Sequence, residues 1–154
     1  MKKDTFLISA VVGVAATALE IILTFILKLT GLIKTPLYLF VGKLAVGQVP
    51  KQPQWIEPTV GIIGHLIIGV TFTFLFVLVL RKWGDDYIYL KGLGFGGFLW
   101  VIHEVIIPNI ITSKIVLRIS AVSQLTHIIT AFFWGLAAAF IYRLLQKRIK
   151  FIRF

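Results

Sequence analysis

Apolar residues fall into four long stretches, near positions 6–27, 59–80, 90–111 and 119–145, each broken only by small residues or isolated polar ones. A helix that crosses a hydrocarbon core of about 30 Å needs about 20 mainly apolar residues. The pattern therefore predicts an all-α membrane protein, a bundle of four transmembrane helices. Positions 28–58 do not fit a fifth span, because Pro36, Pro50, Pro53 and Pro58 interrupt them. The apolar patch Leu37-Tyr38-Leu39-Phe40-Val41 and Trp55 predict a short interfacial or re-entrant piece there, following the first helix. No internal repeat or linker divides the chain, so 1–154 is read as a single transmembrane domain. The start, Lys2-Lys3 before an apolar run containing Ala16-Thr17-Ala18, imitates a cleavable secretory signal. The run continues to Leu27, which predicts an uncleaved first span.

Helices in lipid associate through small residues and interhelical hydrogen bonds. Gly92 and Gly96 form a small-xxx-small pair at the start of the third stretch, and Gly13 and Gly64 are further packing positions. Gly13, Thr17, Glu20 and Thr24 lie on one helical face, expected to point into the bundle. The glycine run at 92–97 lacks the preceding buried strand that a nucleotide-binding turn requires.

Composition supports the membrane reading: 58% of residues are hydrophobic and 14% charged, against about 25% charged in a soluble domain. An ordinary water-soluble enzyme is excluded. The net charge of +10 would suit nucleic acid, but the basic residues flank apolar runs, so no nucleic-acid partner is expected. Counted by side, an even number of spans places 10 Lys and Arg with the termini and 6 opposite. That asymmetry predicts cytoplasmic termini in a bacterial plasma membrane. The basic and bulky tail 142–154 suits anionic headgroups. Trp83, Tyr87 and Tyr89 suit an inner aromatic belt, with Asp85 and Asp86 in a solvated turn.

Ionisable residues inside a span are costly and by default face the protein interior. Each stretch carries at least one: Glu20, then His65, then His103 and Glu104, then Gln124 and His127. At a rise of about 1.5 Å per residue, Glu20, His65, His103 and His127 lie roughly 9–12 Å from the outer ends of their spans, in one layer. His103 and Glu104 are neighbours and point about 100° apart, so a shared target requires a local distortion. Pro108 supplies one, since it cannot donate to the carbonyl at position 104.

Three roles fit this layer. The leading one is a transition-metal site for zinc, iron, manganese or copper, with His65, His103 and His127 as nitrogen ligands and Glu20 and Glu104 supplying oxygen. Haem is a variant, although no cysteine is present for covalent attachment. The second role is a proton or ion path through Glu20, His65, His103, Gln124 and His127. The third is packing alone, in a non-catalytic assembly partner or a homo-oligomer. Catalysis without metal is disfavoured, because His103-Glu104 is not part of an HExxH pair and no serine sits in a nucleophile turn.

Several of these motifs resemble the YagU family of bacterial inner-membrane proteins. The resemblance covers roughly 60–142: Gly64-His65 with Gly69, Gly92-xxx-Gly96 with His103 and Pro108, and Ser123-Gln124-Leu125-Thr126-His127 with Trp134. Glu20 matches an intramembrane glutamate. The chain departs from the family in lacking a proline-proline-arginine run after the first span, and in carrying Gln124 where a carboxylate is expected. The resemblance implies a plasma-membrane location and a role in acid or envelope stress.

Overall fold

The computed structural model describes residues 4–47, 53–110 and 120–151, and every regular element among them is helical. Helix α1 spans Thr5–Leu29, α2 Leu37–Val46 and α3 Ile56–Trp83. A second half follows with α4, Ile88–Trp100, a π-helical stretch Val101–Ile106, the short α5, Ile107–Ile110, and the long α6, Ala121–Phe151. Three helices are long and apolar enough to cross a membrane: Thr5–Leu29, Ile56–Trp83 and Ala121–Lys147. The stretch expected at 90–111 is helical over 88–110 but is not one regular α-helix. Its π-helical stretch is the local distortion expected beside Pro108, whose own side chain lies outside the described residues, as do positions 111–119. The apolar patch expected in the interfacial segment forms the start of α2.

The first helix buries mostly small and polar side chains and exposes most of its bulky apolar ones. Helix α1 buries Ser9, Gly13, Ala16, Thr17, Glu20 and Thr24. It exposes Phe6, Leu7, Leu19, Ile22, Phe25 and Ile26. Small and polar groups thus face other helices, while bulky apolar groups face outward, where lipid would solvate them.

The helices form two closely packed units. In the first, α1 and α2 both pack on α3; in the second, α4 packs on α6, and α1 joins the two by packing on α6. The backbones of α3 and α4 make few close approaches despite being consecutive. Aromatic side chains fill that seam, with Phe76 against Phe95 at 5.3 Å between centroids and Phe72 edge-on to His103 at 5.6 Å. One half of the bundle is sealed by an apolar cluster that includes Val12, Phe76, Leu80, Leu99, Ala138 and Tyr142.

The predicted packing glycines sit at backbone crossings. A Cβ on Gly13 would lie 2.7 Å from Val70 Cα, and one on Gly96 would collide with the Ala131 carbonyl. Gly92 and Gly135 face each other across α4 and α6, while Gly64 meets only the end of Val41.

Between the units, the turn at 84–87 uses Gly84 at φ 78° and Tyr87 at φ 52°, both left-handed. Lys91 Nζ donates to the carbonyls of Trp83 and Gly84, at 2.9 Å each, satisfying acceptors that the end of α3 leaves free. Because this contact is exposed, Lys91→Met is expected to cost less than about 1 kcal/mol in a detergent unfolding titration.

Candidate functional site

The polar layer expected from the sequence is built from five side chains on four elements. Glu20 lies 9 residues before the end of α1, and His65 lies 9 residues after the start of α3. Glu104 stands 6 residues before the end of α5, and His127 stands 6 after the start of α6. At helical rise these positions are about 9–14 Å from one end of the bundle, the end that carries α2.

The structure resolves the layer into pairs. Glu20 Oε2 and His65 Nε2 are 2.7 Å apart, with each side chain 7% exposed. Glu104 Oε1 and His127 Nδ1 are 2.6 Å apart, again with side chains less than a tenth exposed. Gln124 Nε2 donates to Glu104 Oε2 at 3.3 Å, so the residue expected in the relay braces a carboxylate. His103 joins neither pair and packs on Phe72.

All five ionisable residues line one cavity of about 60 Å³, together with Thr17, Thr24, Thr130, Phe72, Trp100 and Trp134. His103 and Glu104 both line it, from consecutive positions of the π-helical stretch.

Two of the threonine hydroxyls that line the cavity donate to local carbonyls. Thr24 donates to the Glu20 carbonyl at 2.9 Å, and Thr130 donates to the His127 carbonyl at 3.1 Å. Trp134 Nε1 donates to Thr17 Oγ1 at 3.0 Å, tying α6 to α1. His65 Nδ1, His127 Nε2 and Trp100 Nε1 are buried without a hydrogen-bond partner among the described residues. At the edge of the layer, burial first and the Glu20 carboxylate second push the Tyr38 hydroxyl pKa up. Tyr38 is therefore neutral across the physiological range.

The expected metal set does not assemble. No group of three or more His, Cys, Asp or Glu side chains that could hold a metal ion occurs among the described residues. The physical reason is pairing: each carboxylate turns an oxygen toward an imidazole nitrogen, the same atoms a shared ion would require. Haem meets a second obstacle, since about 60 Å³ is less than half of the roughly 150 Å³ cavity that admits one benzene ring.

Three contributors were not anticipated from sequence. Phe72 and Trp100 form cavity wall, and Tyr38 is buried near Glu20. A tryptophan in mid-span, away from the interfacial belt, was the available signal for Trp100. Asn109, by contrast, spends its amide on the Val105 carbonyl at 2.6 Å and lies outside the cavity. No family model, no curated protein and no solved structure matches this chain.

Proposed function

We propose that this chain is a four-span protein of the bacterial plasma membrane, with both termini cytoplasmic, whose outer-half chamber binds and exchanges protons. The observation that carries the reading is the presence of two buried His–carboxylate pairs on the walls of one cavity. Such pairs are suited to proton storage and exchange, because an imidazole visits both protonation states near neutral pH and the adjacent carboxylate compensates the charged one.

The fourth span is the helical run 88–110. Twenty-three residues at about 1.5 Å each give roughly 34 Å, close to the hydrocarbon thickness, and the π stretch shortens that only slightly. Irregular helix at membrane depth is tolerated where it lines a cavity, which is where this stretch lies. The apolar cluster beyond the cavity closes the inner half, so protons exchange with the outer side in this conformation. An acid-stress role, the expectation attached to the YagU resemblance, belongs to the same proposal.

A packing role is the second reading, favoured by the fact that each pair joins two separate helical elements, α1 to α3 and the π-helical stretch to α6. Histidine-selective ¹⁵N NMR of the detergent-purified protein separates the two. We expect the rings of His65 and His127 to change reversibly between neutral and charged forms as pH is taken from 8.5 to 4.5. Rings that keep one state throughout would leave only packing.

A further inference from the structure

We propose that His103 is the exchange group of the chamber, taking up protons from the outer side and passing them, through water in the cavity, to the free oxygen of Glu20. Which polar atoms a molecule in the cavity can touch decides the route. Most are enclosed or already bonded. His65 Nδ1, His127 Nε2 and Trp100 Nε1 are enclosed by protein. Thr17 is fully buried and accepts from Trp134, while Thr24 and Thr130 donate to backbone carbonyls. Glu104 spends Oε1 on His127 and Oε2 on Gln124.

Among the described residues, two groups are left. Glu20 gives Oε2 to His65, whereas its Oε1 has no hydrogen-bond partner and is not one of the enclosed atoms. The same holds for both nitrogens of His103, whose ring meets Phe72 edge-on. His103 and Glu20 line one cavity, and these are the atoms they can offer it. A space of about 60 Å³ takes several waters at about 10–15 Å³ each, so water can bridge atoms that do not touch.

The surroundings of His103 suit a carrier and not a store. Glu20 on α1, His65 on α3 and Glu104 beside it in the π-helical stretch all act on the ring electrostatically. His127 on α6 lines the same cavity but is bonded to Glu104, and the Tyr38 hydroxyl of α2 is neutral. With no carboxylate bonded to its ring, His103 has nothing to compensate an imidazolium directly, so it passes a proton on.

The transfer balances with water alone. Neutral His103 accepts a proton from outer-side water on one nitrogen and releases the proton of the other nitrogen to a cavity water. That water gives one of its own to Glu20 Oε1 and remains water. The Glu20–His65 pair ends one proton richer, and His103 ends neutral in its other tautomer. Release runs the same steps backward and restores the first tautomer. The Glu104–His127 pair has no such route, because both Glu104 oxygens are taken.

This inference rests on the proton-exchange reading and deepens it. Its test is water-saturation-transfer NMR of the full-length protein in detergent at pH 7, in wild type, His103→Gln and His103→Phe. The signal reports how fast the ring N–H protons of His65 and His127 exchange with water, and near-ultraviolet circular dichroism checks the fold of each variant. Exchange at His65 is expected to slow at least tenfold in both variants, with His127 within about twofold of wild type. A merely structural role would show the opposite order, since damage at position 103 falls first on the adjacent Glu104 and so on His127. Wild-type exchange at His65 in either variant, or slowing at His127 as large as at His65, overturns the proposal. If the wild-type rings titrate between pH 8.5 and 4.5 while His65 exchange ignores position 103, the carrier falls and proton storage stands. Rings that keep one state throughout remove both.

Discussion

Replacing Glu20 by alanine is expected to destabilise the protein by about 1–3 kcal/mol, while Glu20→Gln costs less than about 1 kcal/mol. The asymmetry comes from what each variant leaves behind. Alanine removes the acceptor at 2.7 Å from His65 Nε2 and strands a second nitrogen of a ring that already has one unpartnered. Glutamine keeps a carbonyl oxygen in reach of the same N–H. Interhelical hydrogen bonds in membranes average only about 0.6 kcal/mol, because helices separated in lipid find other partners. Here the alanine variant also enlarges a cavity wall, and it leaves a group that is 93% buried by side-chain area without its partner. The larger figure therefore applies. Unfolding in mixed micelles with increasing denaturing detergent measures both variants, and a Glu20→Ala loss below about 0.5 kcal/mol would show that the pair contributes no stability. Equal, large losses in both would show that the carboxylate charge, rather than the hydrogen bond, holds His65 in place.

The residues that made the site legible in sequence are those whose presence in a span is costly. Glu20, His65, Glu104 and His127 stand out against apolar neighbours, and their depth along each stretch places them in one layer without knowledge of the fold. Their partners are not legible, because pairing depends on helix adjacency and rotation. Sequence order places α3 beside α4, yet their backbones barely approach, and α1 stands between the two units instead. That arrangement assigns His65 to Glu20 and His127 to Glu104, and so divides a set that in sequence resembles one metal site. The third apolar stretch shows the same limit. Its length and hydropathy predict a helix, which is present over 88–110, while the π stretch that carries His103 and Glu104 is only foreshadowed by Pro108. Tyr38 was hidden for a simpler reason: in an apolar sequence, a buried aromatic residue looks the same as one that faces lipid.

The division into two units carries the other large expected effect. Gly96→Leu is expected to cost about 3 kcal/mol, at the upper end for overpacking, because the atom in the way is the Ala131 backbone carbonyl, which cannot rotate aside. The neighbouring crossing, Gly92 against Gly135, is equally tight, so α4 cannot slide along α6 to find room. It must tilt away, carrying the π-helical stretch and Glu104 with it, and the 2.6 Å contact to His127 is the first polar link to part. The Glu20–His65 pair lies across a different crossing, where Gly13 meets Val70 and Gly69 meets Thr17. It has no reason to move. Histidine NMR of Gly96→Leu is thus expected to show a changed His127 resonance beside an unchanged His65. Equal changes at both rings would mean that the aromatic seam, Phe72 on His103 and Phe76 on Phe95, couples the units more strongly than their backbones do. In that case a proton bound at one pair would be felt at the other, and the chamber would work as one coupled site instead of two.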